Sequence, residues 1–175
     1  PLHLVAGVSA IVNGGIYRKP TLIRRKPGAT VVGKRVVSEE TSLNMRRLMR
    51  LVVENGTGHN AAAPGYLVGG KTGTAEKVSG RGYKKKALIS SFVAAFPMHK
   101  PKYVVLAMLD EAKGTKETFG YATGGWVAAP VVGAVVRRIA PVLGLRPLKD
   151  EDDARKALSV KITETSGRGR RVAAH

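Results

Sequence analysis

Cysteine is missing from this sequence, and no long apolar run is expected in it. With no cysteine in 175 residues, disulfides and thiolate metal sites are excluded, and an oxidising compartment is allowed but not indicated. The apolar runs look shorter than the roughly 18 residues of a membrane-spanning helix, and no signal peptide opens the chain. Because the sequence starts at Pro1 inside an apparent helix, we interpret it as a piece of a longer protein.

Acidic and aromatic residues are scarce. The 12 Asp and Glu stand against 30 Lys and Arg, so the formal net charge is +18 and the sequence pI is about 10.7, values typical of nucleic-acid binders. The basic residues are nevertheless scattered in short clusters, only 5% of residues are aromatic, and no zinc-finger spacing is present. We therefore interpret the charge as a solvated surface that could attract anionic lipid head groups or acidic proteins, and we expect no nucleic-acid partner.

The letters of a phosphate-binding P-loop occur from Gly65 to Thr72, GYLVGGKT. A P-loop requires a buried strand before its first glycine and a helix beginning at its Lys-Thr. The residues before Gly65 include Pro64 and no β-branched residue, and Gly73 follows Thr72 where the helix would begin. A P-loop nucleotide-binding protein is thus only a remote alternative.

A strand over Tyr66–Thr74 is the better interpretation of the same letters. Side chains two residues apart share a face of a strand, so Thr72 and Thr74 would point together while Lys71 projects from the other side or from the rim. Gly73 between them would let a ligand lie close to the backbone. Two hydroxyl groups with a nearby cation form a site suited to an anionic group.

The remaining periodicities predict an α/β (α+β) fold in which helices flank an antiparallel sheet. Strands are predicted near 66–74, 87–96 and 102–110; the first two are joined by a basic, glycine-containing loop and the last two by a short turn over 97–101. Short extended pieces are predicted at Thr21–Arg24 and Val31–Val37.

Three helices are predicted around these strands. The first covers the opening residues and ends at Asn13-Gly14-Gly15. Ser38 caps the second, with Arg46, Arg47 and Arg50 facing water and a buried stripe made by Met45, Leu48, Met49, Val52 and Val53. The last helix buries one face and ends within Pro141–Gly144; that face carries Val132, Val135, Val136 and Ile139.

An ordered set of motifs resembles the penicillin-binding proteins of class B, the monofunctional D,D-transpeptidases, and most closely their cell-division type. KTGTAEK at 71–77, preceded by the turn Gly56-Thr57-Gly58, is similar to the third active-site motif of that family. The stretches at 1–23 and 122–136 resemble the segment after its second motif and the entry into its last helix. The likeness covers about residues 1–145, which we take as the C-terminal portion of the transpeptidase domain, and 146–175 as a basic, flexible tail.

This resemblance implies peptidoglycan cross-linking by acyl transfer, without a cofactor, at the periplasmic face of an inner membrane. Lys71 would supply positive potential, the Thr72 and Thr74 hydroxyls and Gly73 would bind the substrate carboxylate, and the Thr74 N–H would donate to the oxyanion. Stem peptides and β-lactams are the implied ligands. The implied protein partners are the N-terminal remainder of the same protein, which would carry the membrane anchor, and other division or cell-wall synthesis proteins.

The family's acylated serine is not found in this chain. Its Ser-x-x-Lys motif occurs nowhere in the 175 residues, so we expect the nucleophile upstream of Pro1. Ser42-Leu43-Asn44 has the letters of the family's Ser-x-Asn motif, but it falls within a predicted helix, and we interpret it as ordinary helix and surface chemistry. A catalytically inactive, partner-binding transpeptidase-like module therefore remains an alternative.

Other candidate residues have structural interpretations. The four histidines, His3, His59, His99 and His175, lack the spacing of a metal site, and no metal ligand set is predicted. Asp110-Glu111 is interpreted as a solvated strand end, and Trp126 as a packing anchor before the last helix.

Overall fold

A computed structural model describes residues 1–26, 28–79, 82–149 and 152–160 of the chain. Two short strands and then three longer ones are inserted between the helices along these residues, and a single 3₁₀ turn, His59–Ala61, follows the second helix. In chain order the elements are α1 (Leu2–Val12), β1 (Ile16–Tyr17), β2 (Lys34–Arg35), α2 (Glu39–Glu54), β3 (Gly69–Ser79), β4 (Gly82–Phe96), β5 (Tyr103–Asp110), α3 (Gly124–Val127), α4 (Ala129–Val142) and α5 (Asp152–Leu158).

The main sheet has the strand order β3-β4-β5, and both of its strand pairs are antiparallel. Thr74 of β3 is the register partner of Ser90 of β4, which in turn faces Leu109 of β5. The predicted short turn over 97–101 makes this order possible, because adjacent antiparallel strands need only a tight connection. The predicted antiparallel sheet flanked by helices is confirmed.

Helices cover both faces of β4, and its side chains point alternately into two cores on opposite faces of the sheet. Phe92 and Phe96 belong to the core that includes Val132 and Val136 of α4, and all four are fully buried. Val93 of the same strand turns to the other face and joins the core that contains residues of α1, α2 and α5. Burial of a large apolar side chain stabilises a fold by about 1.5–3 kcal/mol, so a strand apolar on both faces favours this layered arrangement.

Helix α2 begins as predicted, but the predicted exposure was wrong at Leu48 and Arg50, and Arg46 and Arg47 are only partly exposed. The Ser38 hydroxyl accepts a hydrogen bond from the Thr41 N–H at 3.0 Å, which is the N-cap geometry. Met49 and Val53 are buried, whereas Leu48 is 49% exposed and does not belong to the buried stripe. Arg50, predicted to face water, is only 6% exposed, because its guanidinium hydrogen-bonds inside the fold.

The strand predicted over Tyr66–Thr74 begins later and runs further. β3 starts at Gly69, because Leu67 has a φ of +41°, a left-handed conformation that a strand does not contain. Its far end pairs with β4 from Gly82 onward, so most of the predicted basic loop is a continuation of the two strands. A register shift between Glu76 and Lys77 marks an irregularity in the ladder.

The extended pieces around residue 30 form less structure than predicted. Within Val31–Val37 only Lys34–Arg35 is a strand, and it pairs with Ile16–Tyr17, which was not predicted. Thr21–Arg24 forms no strand, and Leu22 and Ile23 there are strongly exposed.

Part of the segment 146–175, which is predicted to be a flexible tail, forms the helix α5. Leu158 of α5 is 3% exposed and packs with Met49 of α2 and Met98. The Arg47 Nε–H also donates to the Ala157 carbonyl at 3.3 Å. Leu158 thus packs a largely polar segment against the core; residues 150, 151 and 161–175 of the predicted tail lie outside the described residues.

The apolar stretch Gly124–Val142 is longer than the sequence analysis expected. Over 19 residues its mean hydropathy is 1.3, which is long and apolar enough for a membrane span by those two criteria alone. In this fold the stretch comprises α3 and α4, and Val132 and Val136 of α4 are fully buried in the core that includes Phe92 and Phe96.

We predict that Leu158→Ala lowers the free energy of unfolding by about 2–5 kcal/mol, because it removes a buried leucine and leaves a cavity. Leu22→Ala is the matched control, since Leu22 is 95% exposed, and a change within about 0.5 kcal/mol is expected for it. Urea denaturation measures both. Equal effects would show that α5 does not pack on the core.

Candidate functional site

A cleft of about 550 Å³ lies beside β3, between the Gly56-Thr57-Gly58 turn and the start of α3. The turn is closed by the Gly58 N–H, which donates to the Val52 carbonyl at 3.0 Å. Asn60 ties the two walls together, because its Nδ2–H donates to the Gly125 carbonyl at 3.0 Å. One backbone hydrogen bond therefore closes the turn, and one side-chain hydrogen bond holds it against the start of α3.

Thr72 and Thr74 both line this cleft, as their spacing in a strand predicted. The Thr72 hydroxyl lies 3.3 Å from the Thr57 hydroxyl on the facing turn. The Thr74 hydroxyl accepts the Gly124 N–H at 3.1 Å, at the beginning of α3. Two hydroxyl groups thus point into the cleft from one edge strand.

Lys71 lies at the rim rather than among the cleft-lining residues. Its Nζ donates to the Thr72 carbonyl at 2.9 Å and lies 3.5 Å from the Thr72 hydroxyl. The side chain is exposed, and it bends around the strand edge toward the hydroxyl face. The structure thus brings the cation close to Thr72 while leaving it accessible, in agreement with the predicted rim position.

Glycines let β3 and α3 approach each other closely. A Cβ on Gly73 would come within 2.6 Å of the Ser91 Oγ, and one on Gly124 would overlap the Gly73 and Ser91 carbonyls. A Cβ on Gly125 would overlap the Thr57 carbonyl across the cleft. Larger residues at these positions would force the cleft walls apart.

Aromatic rings form the outer wall of the cleft, and the sequence analysis did not predict this. Trp126 stacks on Tyr121 with ring centroids 5.7 Å apart and an interplanar angle of 15°. Phe119 contacts Trp126 edge-on, with ring centroids 5.6 Å apart. His59, in the 3₁₀ turn on the facing wall, also contacts Trp126 edge-on, with ring centroids 6.3 Å apart. Trp126 is therefore more than a packing anchor; the crowding of aromatics in 119–126 is the signal that could have indicated a wall.

The P-loop alternative is wrong. Lys71 and Thr72 lie inside an antiparallel strand paired with Val93 and Phe92, and no helix begins there. A P-loop holds phosphate with the free N–H groups of a helix N-terminus, which this strand does not provide.

The other candidate residues have structural places in the fold. Ser42 is fully buried and accepts the Gly14 N–H at 3.0 Å, so it fixes the end of α1 and is not on the surface. Lys77 binds Asp110 and Glu111 at 2.9 and 3.0 Å, and these carboxylates raise the pKa of Lys77. Burial, with the nearby Lys100 and Arg46, lowers the pKa of His99. Among the described residues no group of metal-binding side chains is found.

No serine lines the cleft within the described part of the chain. The hydroxyl-bearing residues among its described lining are Tyr121 and four threonines, Thr57, Thr72, Thr74 and Thr123. The arrangement offers hydroxyl donors and acceptors, an accessible cation and an aromatic wall, which together suit an anionic ligand with an apolar portion.

The comparisons with known proteins agree with this geometry. The family model described as the penicillin binding protein transpeptidase domain matches residues 1–137. The chain is 46% identical over 155 residues to the probable peptidoglycan D,D-transpeptidase FtsI of Caulobacter vibrioides, covering 83% of this chain and 26% of that protein. It is 40% identical over 161 residues to stage V sporulation protein D of Bacillus subtilis, covering 86% of this chain and 24% of that protein.

A solved structure of the same kind superimposes on the chain. The transpeptidase domain of Burkholderia pseudomallei penicillin-binding protein 3 matches with a TM-score of 0.73 and 37% identity, over 84% of this chain and 43% of that one. The chain thus spans about a quarter of the curated relatives and less than half of the solved domain. The matched residues, 1–137, include the whole cleft, and the chain belongs to the penicillin-binding protein transpeptidase family.

Proposed function

We propose that this chain supplies one wall of the active site of a serine-type peptidoglycan D,D-transpeptidase, which is also the target of β-lactams. The observation that carries the proposal is the Lys71-Thr72-Gly73-Thr74 sequence on an edge strand, with both threonine hydroxyls in a cleft. The relatives that bear transpeptidase names support the same reaction class.

In the proposed reaction a serine outside this chain attacks the carbonyl between two D-alanines of a stem peptide. The C–N bond breaks, and D-alanine leaves with a proton on its amine. An amine of a neighbouring peptidoglycan strand then attacks the acyl-serine ester, and the serine leaves as the cross-link forms. β-Lactams would acylate the same serine. No step in this scheme requires a cofactor.

The roles proposed for the site residues follow their positions. Thr72 and Thr74, with Gly73 allowing close approach, bind the terminal carboxylate of the substrate. Lys71 at the rim adds positive potential. The Thr74 N–H donates to the oxyanion, a kind of interaction for which loss of one donor costs about 2.7–4 kcal/mol in known enzymes.

The proposed setting is the extracytoplasmic face of a bacterial inner membrane, with the N-terminal remainder of the protein as the first partner. One relative is named a probable peptidoglycan D,D-transpeptidase and another a stage V sporulation protein, and these names support a role in building the wall or septum. The net charge of +18 favours further partners that are acidic.

We predict that residues 1–175 alone form no covalent adduct with a fluorescent penicillin, because no Ser-x-x-Lys is present in them. In the intact protein the label should appear on an upstream peptide, located by mass spectrometry after digestion. A stoichiometric label on this chain that survives denaturation would contradict the proposal. An intact protein that takes up no label at all would favour an inactive, partner-binding module.

We predict that Lys71→Ala in the intact protein lowers the acylation rate constant by a factor of about 10² or more, because it removes the cation beside the Thr72 hydroxyl, where the proposed substrate carboxylate binds. Lys77→Ala is the matched control on the same strand. Lys77 is bound to Asp110 and Glu111. A change of less than about fivefold is expected for it, since salt screens solvated charges over roughly 8 Å. Stopped-flow acylation measures both; equal losses would refute the role assigned to Lys71.

A further inference from the structure

Arg50 is a buried cation in α2 that reaches the strand carrying the site. Its Nε and Nη2 both contact the Glu54 carboxylate at 3.0 Å, one helical turn along the same helix. Its Nη1 donates to the Val68 carbonyl at 2.7 Å. The side chain of Arg50 is 8% exposed, so its charge depends on these partners rather than on water.

The Val68 carbonyl is the last one before β3, and it follows a strained residue. Leu67 has a φ of +41° and is 1% exposed. A non-glycine residue keeps such a conformation only where its surroundings hold it. Two hydrogen bonds do so here, because the Met98 N–H donates to the Leu67 carbonyl at 2.9 Å and Arg50 donates to the next one.

The entry of β3 is also pressed against the helix backbone. A Cβ on Gly69 would come within 3.0 Å of the Arg50 N and would overlap the Met98 Cε. β3 is an edge strand, so β4 pairs with it along one side only. The direction in which β3 leaves Val68 therefore depends on contacts from α2, three residues before Lys71.

We propose that Arg50 is a positioning residue for the active-site strand, acting through its hydrogen bond to the Val68 carbonyl. Glu54 holds the guanidinium in place, and Arg155 of α5 lies 3.7 Å from the same carboxylate. Because Val68 leads into β3, this hydrogen bond fixes the position of the strand. It thereby fixes the Thr72 and Thr74 hydroxyls and the Lys71 amine relative to the reacting serine. The inference rests on the proposed function for its kinetic consequence, but its structural part concerns only this chain.

Arginine suits this position because its planar guanidinium can bind a carboxylate with one edge and a carbonyl with its remaining N–H groups. Lysine keeps the charge but lacks this fork, so it would hold Glu54 and Val68 less well together. Removal of Arg50 leaves a carboxylate and a carbonyl without this donor, and relaxation at Leu67 would displace the strand entry. Displacements of about 1 Å in a catalytic group can reduce a rate by roughly 10²-fold.

The test compares Arg50→Met with two controls in the intact protein. Arg47→Met removes an arginine of the same helix that binds the Ala157 carbonyl instead of the strand. Val136→Ala removes buried methyl groups in α4 and controls for general loss of stability. Two readouts are taken: the saturating rate of acylation by a fluorescent penicillin, and amide hydrogen exchange of residues 69–74.

We expect Arg50→Met to lower the saturating acylation rate at least about tenfold and to speed exchange at 69–74 by a similar factor, with Arg47→Met within about twofold of wild type in both readouts and Val136→Ala speeding exchange no more at 69–74 than in β5. Arg50→Lys should fall between Met and wild type. A rate and an exchange profile for Arg50→Met equal to those of Val136→Ala would overturn the proposal and leave Arg50 a purely structural residue.

The two readouts separate this inference from the proposed function. If the wild-type protein is not acylated, the proposed function fails, and hydrogen exchange still decides whether Arg50 positions β3. If Arg50→Met does not fold, Glu54→Gln and Arg50→Lys provide the comparison. Glu54→Gln weakens the ion pair with the guanidinium but keeps a hydrogen-bond acceptor. It should therefore speed amide exchange at 69–74 by a smaller factor, and unchanged exchange there would again overturn the proposal.

Discussion

The burial of β4 on both faces is the constraint on which the rest of this structure depends. Phe92 and Phe96 need a helix layer on one side, and Val93 with Ala95 needs another on the opposite side. With β4 central, β3 and β5 must flank it, because only neighbouring strands can satisfy its backbone groups. The site strand is therefore held by its pairing with β4, whose described residues from Phe92 to Phe96 are all buried.

The cleft follows from the edge position of β3. One side of the strand pairs with β4, and its hydroxyl-bearing residues meet the Gly56-Thr57-Gly58 turn and the start of α3 instead of another strand. Gly124 and Gly125 keep that meeting close, since a Cβ at either would overlap backbone. The aromatic rings around Trp126 then close the outer side.

The cations of this basic chain differ in whether a carboxylate offsets their charge. Lys77 is held by two carboxylates at a strand end, and Arg50 is buried against Glu54. Lys71 differs from both, because its hydrogen bonds go to a neutral carbonyl and hydroxyl of Thr72. A cation with neutral partners at a rim keeps more of its field for a ligand than one whose charge a carboxylate already offsets.

Local patterns in the sequence were enough for the features that depend on near neighbours. The Ser38 cap, the alternation of Thr72 and Thr74 and the short turn at 97–101 follow from chain geometry over a few residues, and the ordered motifs indicated the family. Tertiary contacts alone decided the rest. Arg50 is buried because its guanidinium donates to the Val68 carbonyl. Leu67 is left-handed because Arg50 and the Met98 N–H, both distant in sequence, donate to the carbonyls around it. Helix α5 packs on the fold because Leu158 joins a core made by four other elements. These partners are separated from one another by 18 to more than 100 residues, a distance over which periodicity carries no information about contact.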